Sequence, residues 1–401
     1  MARADTFTRW GVVASGEGGN RVAAELLSRE ENTGIAERVV LLNTNRADIR
    51  NTVDQSDVDG DLDDYVRVFG DKRGVGNDFL EGERQTESDV QGITNEIDDR
   101  MINADAQLFL TTLGGGTGNG SVPYLLREYD EQIDVESANY GPWIDDAVRI
   151  GVGIWPYYNE PSQRQFNAML GLSRLLRRRD GTQNADMTLL AGNSHLDRDG
   201  RSESYDRVNE RIVAALDMMI GAGRETQSVI DVEDYVAKPS SVGAYHFTPA
   251  LATELNGKML EYGLMFDKAA ENAYVPMDVS TARAAFAVVR APERMVERGE
   301  VTATEVDRAF DTWKRDNGLS GAVGMTTVTP ADRRGNDVDV LLLLGGFDLN
   351  PLLDHARDSY EGHKRNLDAA RQLGGNEATI SQRHLEDLER NLEEYVDANA
   401  R

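Results

Sequence analysis

Short apolar runs alternate with amphipathic stretches through residues 8–221 of the chain. The runs lie at 10–15, 39–43, 106–112, 148–154 and 187–191. Strands that alternate with helices are typical of a parallel sheet with helices on both faces. Polar loops follow three of the runs, and loops at the carboxyl ends of parallel strands share one crevice, where ligands bind. The pattern predicts an α/β fold, a doubly wound parallel sheet with its site at that edge.

A long amphipathic stretch at residues 203–223 predicts a central helix that Gly221 and Gly223 end. Its apolar face is formed by Tyr205, Val208, Ile212, Ala215, Leu216 and Met219. Beyond it, strand patterns at 285–289, 321–328 and 338–344 and a helix pattern at 304–317 predict a second, α+β domain. We therefore expect one domain at 1–225, a second at 226–350, and a helical extension at 351–401.

The helical extension is highly charged and is broken by a Gly-Gly pair at residues 374–375. Its last helix, near residues 380–400, carries an apolar stripe made of Ile380, Leu385, Leu388, Leu392 and Tyr395. Such a stripe can bind a partner helix or cover the body of the protein, and we expect the second.

Acidic residues dominate the charge of this 401-residue chain. Asp and Glu number 70 against 43 Lys and Arg, which gives a net charge of -27. Such a surface repels nucleic acid and anionic lipid, so neither is an expected partner. An acidic, lysine-poor surface also indicates a halophile, because molar salt screens self-repulsion to a Debye length of about 3 Å.

Several further classes of protein are disfavoured by what the sequence lacks. It has no cysteine, which excludes disulfides and thiolate catalysis. Its five histidines show no metal-ligand spacing, and we interpret them as ordinary polar or capping residues. No run approaches the roughly 18 apolar residues of a membrane span, and the start has no leader pattern. We expect a cytoplasmic protein without direct membrane insertion.

The most informative motif is LGGGTGNG at residues 113–120, directly after the third apolar run. Glycine lets backbone N–H groups converge on an anion, and the hydroxyl of Thr117 adds a donor near a helix predicted at 121–129. A glycine-rich surface turn is the alternative. The position between a strand and a helix favours a phosphate loop.

Other familiar loops fit the sequence less well. A P-loop needs a lysine near its glycines, and a Rossmann loop needs G-x-G-x-x-G and a ribose-binding acid after the second strand. Residues 16–21 read GEGGNR and residues 43–45 read NTN, which argues against an NAD-dependent dehydrogenase. The aspartate-rich segment at 51–64 lacks the glutamate that closes a calcium loop, so we interpret it as a solvated loop.

The two glycine loops, in this order, resemble those of the tubulin/FtsZ superfamily of GTP-binding filament proteins. The second loop matches the family signature GGGTG[ST]G except at Asn119, and the first is similar to tubulin's G-Q-x-G-N-Q. Asn45 ends a motif similar to FtsZ's Asn-Thr-Asp, and Gly76 lies in a shortened third phosphate loop. The resemblance implies that GTP or GDP is bound by Gly16, Glu17, Gly18, Gly19, Asn20, Arg21, Asn45, Gly76, Gly114, Gly115, Gly116, Thr117, Gly118, Asn119 and Gly120.

The resemblance also implies residues for the sugar and the base. Residues 156–171 are similar to FtsZ's P-F-x-F-E-G-x-x-R-x-x-x-A-x-x-G, with Glu160 and Arg164 in register. A carboxylate can accept from both ribose hydroxyls, although a surface ion pair is the other interpretation of these two residues. Asn193 matches the family asparagine that reads guanine. Tyr205 and Asn209 reproduce tubulin's Tyr-x-x-x-Asn on one helix face, where the ring can stack on the base.

In this superfamily a loop after the central helix, G-x-x-N-x-D-x-x-D in FtsZ, enters the neighbour's site and positions the attacking water. The same interval here reads SVIDVEDYV at 228–236, with Asp231, Glu233 and Asp234 as candidate catalytic carboxylates. Because phosphoryl transfer depends on positioning and the motif is altered at its key points, we expect slow GTP hydrolysis. Glu17 places a negative charge in a phosphate loop, which makes it a candidate ligand of Mg²⁺.

The resemblance as a whole implies a GTPase domain, a long central helix and an activation-type domain. It implies a cytoskeletal protein of cell division or cell shape that binds GTP or GDP with Mg²⁺. It further implies self-association head to tail, as a filament or dimer. The alternative is a nucleotide-dependent regulator or cap that no longer hydrolyses GTP, whose partner is another FtsZ homologue.

Overall fold

The structure is a computed structural model that describes residues 8–29, 33–54, 62–71, 73–133, 147–176, 185–197, 205–222, 229–255, 260–372 and 380–400. Its strands are β1 Trp10–Ser15, β2 Val39–Asn43, β3 Val66–Val68, β4 Ala106–Thr112, β5 Val148–Trp155, β6 Met187–Gly192, β7 His246–Glu254, β8 Ala284–Pro292, β9 Thr326–Ala331 and β10 Val338–Gly345. They form one sheet in the order β3-β2-β1-β4-β5-β6-β7-β10-β8-β9.

Helices connect most of the strands. They are α1 Gly16–Leu27, α2 Arg46–Asp54, α3 Phe79–Ser88, α4 Val90–Arg100, α5 Thr117–Ile133, α6 Ser162–Leu175, α7 Asn193–Leu196, α8 Tyr205–Gly221, α9 Val232–Ser240, α10 Tyr262–Glu271, α11 Glu293–Glu297, α12 Ala303–Asp316, α13 Asn350–Gln372 and α14 Gln382–Asn399. In the described ranges, none of them is both long and apolar enough to cross a bilayer.

The predicted parallel sheet is confirmed. Every pairing among β1 to β6 is parallel. Three of the five apolar runs coincide with strands residue for residue, and the other two end one residue early. The chain order reverses between β1 and β4, which is the switch point where open α/β sheets bind ligands.

Helices cover both faces of the sheet. Along β1, Val12 and Ala14 belong to one core cluster with Ile212 and Leu216 of α8, whereas Val13 belongs to the other. This explains why the strands read as continuous apolar runs rather than as an alternation. The central helix is confirmed as α8, but its first residue, Tyr205, is 40% exposed and is not part of the buried face. Gly223 lies outside the described residues.

The sheet continues without a break into the second half of the chain, because β7 pairs with β6 at Thr188 and His246. Strand β10 then runs antiparallel between β7 and β8. The predicted strand at 321–328 was wrong at its start, since β9 begins at Thr326. Gly324 has φ +145° and packs against the backbone of Ala285, so it interrupts an extended segment. The domain boundaries at 225 and 350 remain predictions.

The two C-terminal helices pack against α6, as the apolar stripe predicted. The Ser173 hydroxyl donates to the Leu388 carbonyl at 2.6 Å, and Asn391 Nδ2 donates to the Ser173 carbonyl at 2.7 Å. The rings of Phe166 and Tyr360 stack with centroids 5.1 Å apart. The buried members of the stripe are Ile380, Leu385, Leu388, Leu392 and Tyr395. The Gly-Gly pair at 374–375 lies outside the described residues.

One histidine is not the ordinary polar residue that we expected. His246 is fully buried at the start of β7. Its Nε2 lies 2.9 Å from the Phe347 carbonyl and its Nδ1 lies 2.8 Å from the Tyr395 hydroxyl. Because a carbonyl only accepts, the neutral ring donates from Nε2 and accepts the tyrosine hydroxyl at Nδ1. The hydrogen bond between Tyr395 and His246 connects the last helix to the sheet.

We expect the protein to lose stability between about pH 7 and pH 4 through His246. Burial lowers the pKa of its ring from 6.5 to about 4. Below an unfolded pKa of about 6.5 the unfolded chain therefore takes up a proton that the folded state refuses, at a cost on the order of 3 kcal/mol by pH 4. Urea unfolding at both pH values, in wild type and His246→Gln, measures this component. The same pH dependence in both proteins would contradict the assignment.

Candidate nucleotide-binding site

Loops that carry the site candidates lie at one edge of the sheet, because they follow the carboxyl ends of parallel strands. Residues 16, 44, 113, 156 and 193 are the first residues after β1, β2, β4, β5 and β6. A further loop, which contains Gly76, joins them because the Gly74 amide donates to the Thr44 carbonyl at 3.0 Å. The structure therefore brings together segments that lie far apart in the sequence.

Glycines in these loops are in backbone contact with one another. A Cβ on Gly116 would lie 2.4 Å from the Gly76 carbonyl oxygen, and one on Gly118 would lie 2.3 Å from the Ser15 carbonyl oxygen. Gly16 has φ +75°, and its Cβ would lie 3.0 Å from the Gly118 amide nitrogen. Side chains do not fit at these positions, so the glycines are required by packing between the loops.

Two helices begin where the loops meet. Helix α1 starts at Gly16 and helix α5 at Thr117, four residues earlier than predicted. The contact between Gly16 and Gly118 brings the two helix starts together. Helix N-termini carry unsatisfied N–H groups and about half a positive charge each, which suits an anion such as a phosphate. The Thr117 hydroxyl lies 2.7 Å from that of Thr44, a residue that sequence reasoning did not identify.

Two predicted ligand residues have side chains that brace the loops. Asn20 is buried and its Nδ2 donates to the Leu42 carbonyl at 3.1 Å. Asn119 is fully buried, and its Nδ2 donates to the carbonyls of Leu113 at 2.7 Å and Asn167 at 3.0 Å. Asn119 thus uses its longer side chain, where the family signature has Ser or Thr, to hold the two ends of the glycine loop together.

Charged groups surround the first loop. Glu17 forms an ion pair with Arg21 at 2.7 Å, so its negative charge has a partner within the chain. Burial, followed by the charge of Glu17, raises the pKa of Asp48 above its ordinary value. Asn45 donates to Asp48 at 3.1 Å. Two carboxylates and an amide therefore lie beside the predicted phosphate position.

Glu160 and Arg164 form the ion pair that we considered as an alternative, at 2.5 Å. Glu160 also accepts from the Tyr157 amide at 2.7 Å, which holds the carboxylate at the start of α6. Burial, and then the Glu160 charge, raises the pKa of Tyr205, whose hydroxyl interacts with both Glu160 and Arg164. The Tyr205 ring lies edge-on to Tyr157, with centroids 5.3 Å apart. The predicted ribose and base residues are therefore neighbours.

The two remaining base candidates flank this group. Asn193 is 5% exposed and begins α7 directly after β6. Asn209 is half-buried on α8, one helical turn beyond Tyr205. Residues 198–204, which connect the two elements, lie outside the described residues.

The chain is similar in sequence to known proteins. Residues 10–197 match the family model described as the tubulin/FtsZ family GTPase domain. This segment is similar to the GTPase domain of the tubulin/FtsZ family. By sequence, the chain is similar to the tubulin-like protein CetZ2 of Haloferax volcanii, with 28% identity over 234 residues, 56% of this chain and 58% of CetZ2. The sequence match thus spans less than two thirds of that relative.

Solved structures share the fold of residues 10–197 and of the region beyond them. A GDP-bound monomer of CetZ1 from Haloferax volcanii has a TM-score of 0.70 at 22% identity, covering 89% of this chain and 99% of that one. A GTPγS-bound protofilament of CetZ2 from the same organism has a TM-score of 0.68 at 22% identity, with the same coverage. The fold prediction is therefore confirmed.

The candidate catalytic residues lie away from the glycine loops. Helix α8 has 17 residues, so it carries the chain roughly 25 Å from the Tyr205 end. After α9 the chain enters β7 at His246, which pairs with Thr188 near the beginning of β6. Asp231, Glu233 and Asp234 therefore lie near the edge where the parallel strands begin, opposite the glycine loops.

Sequence reasoning also missed residues on α6 that support the glycine loop. Asn167 lies three residues beyond Arg164 on this helix, and its Nδ2 donates to carbonyls of two loops. Arg174 is 3% exposed and donates to the Asn119 carbonyl at 2.6 Å and the Gly120 carbonyl at 3.2 Å. It also pairs with Glu83 at 2.8 Å. The only available signal was their helical spacing from Arg164.

Proposed function

We propose that this protein binds GTP or GDP, associates with itself head to tail as a cytoskeletal filament or dimer, and hydrolyses GTP slowly at the junction between subunits. The observation that carries the proposal is the separation of two groups across the sheet. The nucleotide loops lie at one edge, and Asp231, Glu233 and Asp234 lie at the other. One subunit cannot bring these groups together, whereas a head-to-tail stack can.

The nucleotide would be held by the starts of α1 and α5 and by the glycine loops. Glu160 is suited to the ribose, Asn193 and Asn209 to the guanine edge, and the Tyr205 ring to stacking on the base. The CetZ1 and CetZ2 structures bound to GDP and GTPγS support a guanine nucleotide as the ligand. A cytoskeletal role in cell division or cell shape, in the concentrated salt that the charge of the chain suits, completes the proposal.

Mg²⁺ fits this site only as a partner of the nucleotide. Among the described residues there is no group of three or more His, Asp or Glu side chains that could hold a metal ion. Glu17 and Asp48 are close enough for the charge of one to raise the pKa of the other. Mg²⁺ typically binds one or two carboxylates together with phosphate oxygens and water, and it would neutralise phosphate charge here.

A second candidate function, a regulator that binds nucleotide without turnover, is favoured by the acidic segment itself. Asp231 accepts from the Asp234 amide as the cap of α9, and Asp234 pairs with Lys238 at 2.9 Å. Of the three candidates, Glu233 alone has no polar partner among the described residues. Such a regulator would cap or control another FtsZ homologue. Phosphate release by the wild type distinguishes it from the first proposal.

The proposed function is tested by sedimentation in molar KCl. We expect the protein to pellet with GTP. Guanine nucleotide binding is tested separately with Asn209→Ala. This substitution removes the amide that pairs with the base edge, so we expect it to weaken binding about tenfold or more. Asn95→Ala, an exposed asparagine on α4, is the matched control and should bind normally. A wild type that stays monomeric at all salt and protein concentrations rejects the filament. Unchanged affinity in Asn209→Ala rejects the base assignment.

A further inference from the structure

One side chain holds carbonyl groups of two different loops of the site. Asn167 Nδ2 on α6 lies 2.7 Å from the Asn77 carbonyl oxygen and 3.2 Å from the Gly114 carbonyl oxygen. The residue is 3% exposed. A primary amide carries two N–H groups on one nitrogen, so a single atom can serve both acceptors. Asn167 therefore links the Gly76 loop to the main glycine loop.

The same two loops also touch directly. The Gly116 position has no room for a Cβ because the Gly76 carbonyl lies against it. Gly76 itself has φ +57°, is exposed, and has open space where a Cβ would stand. The loop is thus packed against Gly116 on one side and open on the other. The Asn167 bond to Asn77 is a fixed point beside this open turn.

Helix α6 is itself firmly supported, which makes Asn167 a rigid anchor. Arg174 follows Asn167 by seven residues on the same face of α6, and it binds the carbonyls of Asn119 and Gly120. The Asn167 carbonyl accepts from Asn119. Elsewhere on the helix, Ser173 bonds to α14. The anchor is therefore fixed from the glycine loop and from the C-terminal helices.

We propose that Asn167 is a positioning residue that sets how tightly the site holds nucleotide phosphates. It does so by holding the Asn77 carbonyl and the Gly114 carbonyl at a fixed separation. A loop that is already ordered loses little conformational entropy when a ligand binds, so preorganisation slows release. The inference rests on the proposed binding of guanine nucleotide.

Two substitutions test this role. Asn167→Asp keeps the shape of the side chain but turns a carboxylate toward two carbonyl oxygens. Asn167→Leu keeps a similar volume without any donor. Loss of two hydrogen bonds should speed the release of a fluorescent GDP derivative by about tenfold to a hundredfold, measured by displacement with excess GDP. Thermal unfolding of each nucleotide-free variant is measured alongside.

The control is Asn391→Leu. Asn391 is also an amide that binds two oxygens of α6, the carbonyl and the hydroxyl of Ser173, but it lies near the far end of the helix. We expect this variant to unfold at a lower temperature and to release GDP at the wild-type rate. Faster release in Asn391→Leu, equal to that of the Asn167 variants, would show a general loss of packing and reject the positioning role.

The remaining outcomes separate this inference from the proposed function. If the wild type binds no guanine nucleotide, the proposed function fails and the inference falls with it. If the wild type binds and both Asn167 variants release GDP within about twofold of its rate, the inference alone is overturned. Should Asn167→Leu not fold, the near-isosteric Asn167→Asp carries the comparison.

Discussion

Gly116→Ala is expected to lower the free energy of unfolding of the nucleotide-free protein by about 1–3 kcal/mol and to abolish tight nucleotide binding. The new Cβ would lie 2.4 Å from the Gly76 carbonyl oxygen, 2.8 Å from Val75 Cγ2 and 3.0 Å from the Asp78 amide. Two of these atoms belong to the backbone, so a loop must move. Urea unfolding measures the first effect, and titration with fluorescent GDP measures the second.

The neighbouring glycine provides the control for stability. A Cβ on Gly115 would meet its closest atom, Thr112 Oγ1, at 3.7 Å, which is an ordinary van der Waals distance. Gly115→Ala should therefore unfold within about 0.5 kcal/mol of the wild type, as substitutions without a steric conflict do. Equal destabilisation by the two substitutions would contradict the close contact between Gly116 and the Gly76 loop.

The first half of the fold could be predicted because its strands are buried on both faces. Runs such as 106–112 read as continuous apolar segments, and the strand bounds matched them. Strand β7 was missed, since it contains Pro249 and ends in polar residues. Proline is normally excluded from central strands because it lacks an N–H. Here the Pro249 carbonyl accepts from the Tyr274 amide, on the side away from β10, so no bond to β10 is lost.

The position of the site could be predicted, but its supports could not. Glycine loops after β1 and β4 had to meet, because parallel strands end at one edge. By contrast, the roles of Thr44, Asn167 and Arg174 depend on contacts between separate elements, which no spacing along the chain reveals. Tyr205 shows the same limit. Its periodicity predicted a position on the apolar face of α8. In the structure the residue is 40% exposed, and its hydroxyl interacts with the Glu160–Arg164 pair.

Glu233→Ala is expected to reduce phosphate release by about a hundredfold or more while leaving nucleotide affinity unchanged. Removing a group that positions the attacking water costs this much because phosphoryl transfer depends on positioning and electrostatic stabilisation. Affinity is spared because Glu233 is exposed at the sheet edge opposite the glycine loops. Phosphate release and GDP binding are measured on the same preparation. Undiminished turnover would remove Glu233 from the mechanism, and a wild type without turnover would support the regulator instead.

Mixing two inactive variants tests whether the site is shared between subunits. Glu233→Ala has an intact nucleotide site, whereas Gly116→Ala keeps Glu233 but is expected to bind nucleotide poorly. In a mixed filament, some junctions place the intact acidic segment of a Gly116→Ala subunit against the nucleotide bound by a Glu233→Ala subunit. Such a junction contains all the required groups. Phosphate release should therefore reappear in the mixture and depend on the concentration of both proteins. A mixture that stays inactive, although both variants co-sediment, would mean that Glu233 does not act across the junction. Recovery cannot arise within one subunit, because the two groups lie at opposite edges of the same sheet.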